Sequence, residues 1–199
     1  MKYLSINYEW YNIHNSNFLV IHKSGSQTIL NNFECAKADY GPNPNLITWA
    51  VIRNPLERFI SGLAYDIKRT NRTNFDSIIK NPEKLLFGEH NSIFKQQFMM
   101  VSHTYMQSLY FLNEKINMFV RLEDLEDFIG LHTGSYITGR ENKTNSKEKE
   151  IALEIIDNIG SEKINNLFYM ENKIYDKIIN SELVWNWQYG NIFTGNTPA

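Results

Sequence analysis

The stretch that most constrains the fold of this chain is residues 18–29, with the sequence Phe-Leu-Val-Ile-His-Lys-Ser-Gly-Ser-Gln-Thr-Ile. Its four leading apolar residues predict a short buried strand, and a helical pattern runs from Thr28 to Lys37. The lysine, glycine and hydroxyl residues between them predict a tight turn. Backbone N–H groups of such a turn and the positive end of a helix dipole together suit an anion. Taken alone, the stretch is compatible with a phosphate- or sulfate-binding loop and with an ordinary βα turn, which is the commoner structure.

A second strand–helix unit follows at residues 46–69. Residues 46–52 form an apolar run rich in β-branched and aromatic side chains, which predicts another buried strand. The next helix should begin with Asn54 as its N-cap and Pro55 at its first position, where the missing N–H has no intrahelical partner anyway. A third strand is predicted at 116–122. This alternation indicates an α/β fold, a three-layer domain with a central, mainly parallel sheet flanked by helices.

The remaining segments give further expectations that the structure can test. These are an edge strand at 3–6, a break at 41–44, helical pieces across 73–100 with caps at Asn74 and Asn91 and a break at Asn81-Pro82, a short helix at 123–129, a loop at 130–143, helices at 147–159 and 162–179, and a tail at 183–187 packed on the body. Residues 101–111 mix polar and aromatic side chains without clear periodicity, which suits a substrate-side loop and equally a buried irregular connection.

Composition limits the classes of function. The 199 residues are 42% hydrophobic, which suits one globular domain over residues 1–199. The net charge of −2 gives no support to a general binder of nucleic acid or anionic membranes. Cys35 is the only cysteine, so an intrachain disulfide is impossible. No apolar run approaches the roughly 18 residues of a membrane helix, and no secretion signal opens the sequence, so we expect a cytoplasmic protein.

The two strand–helix turns are more informative together than apart. In a parallel sheet both turns open at the carboxyl edge of the strands, where ligands of α/β proteins bind. One turn offers Lys23 and its neighbouring hydroxyls, and the other offers Arg53 and, eight residues on, Ser61. Ser61 lies about two helical turns beyond Asn54 and should share its face of the helix. An arginine fork and a hydroxyl suit a phosphate, so the sequence predicts a ligand with phosphate-type groups at two places.

The first turn differs from the loop of nucleoside triphosphatases. A Walker A loop reads Gly-x-x-x-x-Gly-Lys-Ser/Thr, with its lysine after the glycines, whereas Lys23 precedes Gly25. No strand ends in an aspartate obviously placed for magnesium. Residues 122–124 are the nearest candidate, and acidic residues at a helix start are explained by the helix dipole. We therefore expect no metal site, and a P-loop kinase or nucleotide hydrolase is the alternative function.

Six segments of the chain resemble, in order, motifs of the sulfotransferases, over about residues 17–178. Lys23-Ser-Gly-Ser-Gln-Thr28 is similar to the family's 5′-phosphosulfate loop, and Arg53-Asn-Pro-Leu-Glu-Arg-Phe-Ile-Ser61 resembles its 3′-phosphate motif. The other four resemble segments of the carbohydrate and Golgi-type sulfotransferases, namely 103–110 (His-x-x-x-Gln-x-x-Tyr), 119–125, 142–144 (Asn-Lys-Thr) and 167–175. Three positions depart from the family pattern: His22 replaces the usual proline, Gln27 the usual threonine and Asn54 a frequent aspartate.

The resemblance implies a P-loop-like fold and a metal-free transfer reaction. A sulfuryl group would pass from 3′-phosphoadenosine 5′-phosphosulfate (PAPS) to a hydroxyl or amine of an unidentified acceptor, a carbohydrate or a small molecule, leaving adenosine 3′,5′-bisphosphate (PAP). Lys23 would stabilise charge on the leaving phosphate oxygen. The donor-binding residues implied are Lys23, Ser24, Gly25, Ser26, Gln27, Thr28, Arg53, Ser61, Lys143 and Thr144.

The acceptor's proton needs a general base, and histidine is the usual choice near neutral pH. His103 opens the segment that resembles the acceptor side of the family, so we expect it to be that base. Its alternative role is to bind donor or substrate without taking a proton. A protein that binds PAP or PAPS without turnover is the third functional alternative.

Overall fold

The computed structural model describes residues 9–70, 75–86, 103–111, 114–134 and 146–186. The predicted strand at 3–6, the predicted caps Asn74 and Asn91, and the donor contacts assigned to Lys143 and Thr144 lie outside the described residues. The chain packs as two compact units. We call residues 9–53, 110–111, 114–134 and 176–186 the sheet unit, and residues 54–70, 75–86, 103–109 and 146–175 the helical unit. One domain over residues 1–199 stays a prediction.

The described part of the sheet unit contains a five-stranded mixed sheet with the strand order β3-β1-β2-β4-β5. The central pairs β2–β4 and β4–β5 are parallel, whereas β1 is antiparallel to both β2 and β3. The α/β fold class is therefore confirmed, with a sheet that is parallel at its centre and mixed at one side. The strands are β1 (Trp10–Ile13), β2 (Ser16–Leu19), β3 (Cys35–Lys37), β4 (Ile47–Ile52) and β5 (Met118–Arg121).

Helices lie between and after these strands along the chain. In chain order the described helices are α1 (Ser26–Asn32), α2 (Pro55–Thr70), α3 (Asp76–Lys80), α4 (Glu83–Leu86), α5 (Leu125–Thr133), α6 (Ser146–Ile159) and α7 (Ser161–Ile179), with 3₁₀ helices at Gln107–Tyr110 and Leu122–Asp124.

One sequence prediction is wrong between residues 33 and 37. The helical pattern was expected to continue to Lys37, but α1 ends at Asn32 and Phe33 is extended, with φ −119° and ψ 144°. Residues Cys35–Lys37 instead form β3 and pair with β1. The β1 strand itself lies in a segment whose pattern is too weak to predict it. Pairing between two such strands is a tertiary interaction, and it overrides local propensity here.

The core of the sheet unit is built on stacked aromatic rings. Phe18 of β2 lies 4.5 Å from Trp49 of β4, and Trp49 lies 5.0 Å from Phe128 of α5, measured between ring centroids. Trp185 packs on Phe128 from the tail, and its backbone N–H donates to the carbonyl of Phe119 at 2.7 Å. The predicted packing of the tail is thereby confirmed for Val184 and Trp185, both of which are buried.

The helical unit has its own core between α2, α6 and α7. Phe59, Leu63 and Ile67 form the buried face of α2, and the Phe59 and Phe168 rings pack edge-to-face at 5.3 Å. The predicted N-cap of α2 is confirmed, because the side-chain oxygen of Asn54 accepts the Glu57 N–H at 3.1 Å. Burial of this apolar stripe is what stabilises helices of this length.

The helix after β5 lies where the sequence predicts it but extends further along the chain. The segment expected as a loop from residue 130 is helical as far as Thr133, and α5 then ends at Gly134 with φ 69°. A left-handed glycine at this position is a common way to end a helix. Among the described helices, none is long and apolar enough to cross a membrane.

Candidate functional site

The loop after β2 has an unusual backbone in the sheet unit. Lys23 has φ 64° and Gly25 has φ 80°, so two left-handed residues flank Ser24. The left-handed conformation costs a residue with a side chain roughly 1–2 kcal/mol. Strained positions of this kind cluster at ligand-binding sites, where the surrounding structure maintains them. The turn is closed by the Ser24 N–H, which donates to the carbonyl of Ile21 at 3.3 Å.

Gly25 is required for a second reason besides its backbone angle. A Cβ atom at this position would lie 2.7 Å from a methyl carbon of Leu125 and 2.8 Å from one of Leu122. The loop therefore rests directly on the start of α5, with no room for a side chain between them. This contact fixes the loop against a rigid element, which is what a binding loop needs in order to be preorganised.

The hydroxyl groups of the loop differ in their surroundings. Ser26 donates to the carbonyl of Ile21 at 3.4 Å, and Thr28 is buried at the first turn of α1. Gln27 is exposed. Ser24 is fully buried, and its hydroxyl has no hydrogen-bond partner among the described residues. Since its backbone N–H donates to Ile21, the donor that Ser24 has left for an anion is this hydroxyl.

Arg53 follows the neighbouring parallel strand. Leu19, the last residue of β2, is in register with Ala50, and β4 ends two residues later at Ile52. Lys23 comes four residues after the end of β2, and Arg53 directly after the end of β4. The carboxyl ends of adjacent parallel strands share one edge of the sheet, so the chain brings both cationic positions to that edge.

The third parallel strand ends in a cation that is already paired. Arg121, the last residue of β5, donates two hydrogen bonds to the Asp124 carboxylate, at 2.6 and 2.9 Å. In such a bidentate pair each carboxylate oxygen accepts one charge-assisted hydrogen bond. Asp124 belongs to the 122–124 segment that was the nearest candidate for a magnesium ligand, and its observed partner is an arginine.

His103 is held in the helical unit by four residues of α2, which we call the His103 seat: Arg58, Gly62, Tyr65 and Asp66. Its Nδ1 lies 3.1 Å from Oδ1 of Asp66, and its ring packs on that of Tyr65 with centroids 4.3 Å apart. Its backbone carbonyl accepts a hydrogen bond from Arg58 Nη1 at 3.3 Å. A Cβ atom on Gly62 would lie 2.2 Å from the same carbonyl oxygen, so only glycine allows this close approach. The imidazole is therefore fixed through both its backbone and its ring.

The residues that make this seat follow the period of the helix. Arg58, Gly62 and Asp66 are spaced four apart on α2, which places them on one stripe of its surface. Ser61 and Tyr65 are also four apart, so Ser61 lies one turn before the ring that packs on His103. Ser61 therefore lies on α2 directly before Gly62, which the His103 backbone contacts.

A buried carboxylate anchors the segment that follows His103. Glu171 of α7 accepts hydrogen bonds from the backbone N–H of Ser108, at 2.9 Å, and from its hydroxyl. Glu171 is only 2% exposed, although it lies within the apolar stripe of α7 between Phe168 and Ile174. In the same segment, burial raises the pKa of the Tyr105 phenol above its ordinary value. The described part of the 101–111 segment is a held turn and 3₁₀ helix, as expected for a buried irregular connection, and its substrate-side role stays a prediction.

Sequence reasoning missed Asp66 and Glu171. Each is an acidic residue at a position where helical periodicity predicts an apolar one, beside Leu63 and Ile67 in α2 and beside Phe168 in α7. Acids on a buried stripe are rare unless they are paired, so the departure from periodicity was the available signal. Periodicity could identify the unusual acidic residue but not its partner, because His103 is 37 residues away from Asp66 in the sequence.

In the described part of the chain, no group of three or more histidine, cysteine or acidic side chains is arranged to hold a metal ion. Comparison with protein-family models, with curated proteins and with solved structures found no match to this chain.

Proposed function

We propose that this chain is a sulfotransferase that moves a sulfuryl group from PAPS to a hydroxyl or amine of a carbohydrate or small molecule, on a P-loop-like three-layer scaffold. The observation that carries the proposal is the pairing of β2 with β4, parallel neighbours that are followed in the chain by Lys23 and Arg53. Two cations at neighbouring strand ends suit a ligand with two separate phosphate groups. PAPS has a 5′-phosphosulfate and a 3′-phosphate, whereas a nucleoside triphosphate has one phosphate end.

In this proposal the sheet unit supplies the groups for the 5′-phosphosulfate. The ammonium group of Lys23 stabilises the negative charge that develops on the leaving phosphate oxygen. Ser24, Gly25, Ser26, Gln27 and Thr28 form the rest of the donor loop. The buried Ser24 hydroxyl, which has no partner among the described residues, supports this assignment because an oxyanion would satisfy it.

Arg53 and Ser61 are assigned to the 3′-phosphate. A guanidinium group recognises phosphate through paired N–H donors, and a serine hydroxyl adds a further donor. The eight-residue spacing between them across the start of α2 matches the sulfotransferase motif that the sequence resembles. Lys143 and Thr144 are assigned to the donor on that resemblance alone.

Transfer of a sulfuryl group resembles phosphoryl transfer in that the protein has little covalent work to do. Positioning of donor and acceptor and stabilisation of developing charge supply most of the rate. His103 is assigned as the general base for the acceptor. Its contact with Asp66 supports this role, because a carboxylate that accepts a hydrogen bond from Nδ1 leaves Nε2 as the ring nitrogen that can accept a proton.

A kinase or nucleotide hydrolase is the competing function. It requires a triphosphate site and a divalent cation, and Lys23 precedes its glycine, unlike a Walker A lysine. The pairing of Asp124 with Arg121 also supports the sulfotransferase over a magnesium-dependent enzyme. A protein that binds PAP or PAPS without turnover would share the same donor residues and differ only in lacking transfer.

The proposal is tested by thermal unfolding in the presence of PAP, ADP and ATP, each with EDTA and with magnesium. We expect PAP to raise the unfolding temperature in EDTA, and ADP to raise it less at the same concentration. A ligand at 100 times its Kd adds about 2.7 kcal/mol to the free energy of unfolding, which is easily measured. Equal or greater stabilisation by magnesium-ATP would contradict the proposal and favour the kinase or hydrolase.

A further inference from the structure

The contact between Asp66 and His103 determines which ring nitrogen carries the proton. Nδ1 faces Oδ1 of Asp66 at 3.1 Å, and the two side chains are 15% and 9% exposed. A carboxylate accepts hydrogen bonds and has none to donate when ionised, so the nitrogen opposite it must be the donor. The neutral ring is therefore the tautomer with hydrogen on Nδ1 and a lone pair on Nε2.

The backbone of His103 is held independently of Asp66. Arg58 donates to the carbonyl oxygen of His103, and Gly62 allows that carbonyl to lie directly on α2. Tyr65 supports one face of the ring. These contacts fix the position of the residue. What the Asp66 carboxylate determines in addition is the orientation of the ring and its tautomer.

The position of Asp66 is costly for a residue with only a packing role. It lies next to Ile67 on the buried face of α2, where an apolar side chain would contribute to the core. A carboxylate removed from water loses free energy unless a partner compensates for it. His103 is the partner that the structure gives to Oδ1. The free-energy cost of burying this carboxylate is therefore offset by a contact that determines which ring nitrogen carries the proton.

We propose that Asp66 is a positioning residue for His103, fixing the Nδ1–H tautomer so that Nε2 accepts the proton of the acceptor; this inference rests on the proposed function. In the step that follows, the acceptor oxygen forms a bond to sulfur while the bond between sulfur and the 5′-phosphate oxygen breaks. The electron pair of that bond goes to the phosphate oxygen of PAP. The acceptor's proton goes to Nε2, and Asp66 stabilises the resulting imidazolium.

The tautomer is measured by nitrogen NMR of protein labelled with ¹⁵N-histidine, at about pH 8.5, two units above the ordinary pKa of histidine. The His103 signals are assigned by their absence from His103→Gln. We expect a protonated Nδ1 and an unprotonated Nε2 in the wild-type protein. In Asp66→Asn we expect the proton to move to Nε2, because an amide can donate to Nδ1. Asp157→Asn, an exposed change on α6, should leave the His103 signals unchanged.

The consequence for transfer is measured with ³⁵S-labelled PAPS and water as the acceptor. We expect Asp66→Asn to lower kcat by roughly 10²-fold, the lower end of what a general base contributes, with the KM for PAPS unchanged. A purely structural role for Asp66 would leave the tautomer unaltered or would change KM and kcat together.

An Nε2–H tautomer in the wild-type protein, or the same tautomer in wild type and Asp66→Asn, would overturn the inference. These results do not depend on PAPS, so they separate failure of the inference from failure of the proposed function. If the proposed function fails, PAP will not stabilise the wild-type protein.

Discussion

The Lys23 loop and the His103 seat reach a defined geometry in opposite ways. The loop is contiguous: its strained lysine, its buried serine and its glycine are consecutive residues held against the start of α5. The His103 seat is assembled from residues of α2 and a segment about 40 positions further along the chain. The loop stores backbone strain, whereas the seat relies on close packing and side-chain hydrogen bonds.

This difference determines how substitutions should act. A change in the loop alters ligand binding or strain and leaves the core of the sheet unit in place. A change in the seat alters packing between α2 and the His103 segment, so stability and chemistry change together. The first three of the following predictions each test one side of this contrast, the fourth tests a buried histidine outside both regions, and they are given in decreasing order of expected effect.

Lys23→Ala should lower the rate of sulfuryl transfer by roughly 10²–10³-fold, as the loss of one donor to a developing oxyanion typically does. Its stability should change little, because the lysine side chain is partly exposed and no core packing is lost. The measurement is the initial rate of transfer from ³⁵S-labelled PAPS at saturating donor. Lys115→Ala removes an exposed lysine from the same unit and serves as the control. Full turnover by Lys23→Ala would contradict the role of Lys23 in stabilising charge on the leaving phosphate oxygen.

Gly62→Ala should destabilise the helical unit by roughly 1–3 kcal/mol, because the new Cβ would overlap the backbone of His103. The sign is diagnostic, since the same change inside an ordinary helix stabilises by about 1 kcal/mol. Urea unfolding measures the effect. Lys68→Ala, an exposed change on the same helix, should remain within about 0.5 kcal/mol of wild type. Stabilisation by Gly62→Ala would show that His103 does not lie on α2.

Ser24→Ala should raise the free energy of unfolding by about 1 kcal/mol in the absence of ligand, because it removes a buried hydroxyl that lacks a partner among the described residues. The same variant should be stabilised less by PAP than the wild type. Ser26→Ala is the matched control, since that hydroxyl donates to Ile21 and its loss should lower stability. A Ser24→Ala protein that is less stable than wild type and equally responsive to PAP would contradict the account of the loop.

The smallest expected effect concerns a histidine of the sheet unit that has no assigned role in the chemistry. Burial lowers the pKa of His132 below its ordinary value, and its Nδ1 lies 2.6 Å from the carbonyl of Phe128. Since the unfolded chain binds this proton more readily, stability should fall as the pH decreases through about 6.5. His132→Asn keeps a donor for the Phe128 carbonyl and should reduce this dependence. Urea midpoints between about pH 8 and about pH 5.5 measure it; parallel curves for the two proteins would contradict it.

The contrast between loop and seat also explains what the sequence could predict. Residues 46–52, 116–122 and 162–179 have strong local patterns, and each forms its predicted strand or helix within a few residues. The Asn54 cap was predictable because capping depends on neighbours in the chain. The strand at Cys35–Lys37 and the Asp66–His103 contact were not, because each depends on a partner that is distant in the sequence. Lys23 could be singled out by its spacing, but neither its left-handed backbone nor the packing of Gly25 on Leu122 and Leu125 is visible in the local pattern.

The central claim is that the ends of β2 and β4 recognise two different phosphates of one ligand. Its most direct test is calorimetric titration of wild type, Lys23→Ala and Arg53→Ala with PAP and with adenosine 5′-monophosphate, in EDTA. We predict that Arg53→Ala weakens PAP binding about 10- to 100-fold, as expected for losing charge-assisted hydrogen bonds, and leaves adenosine 5′-monophosphate unaffected. Lys23→Ala should weaken both ligands. An Arg53→Ala protein that loses equal affinity for the two nucleotides, or none for PAP, would contradict the account.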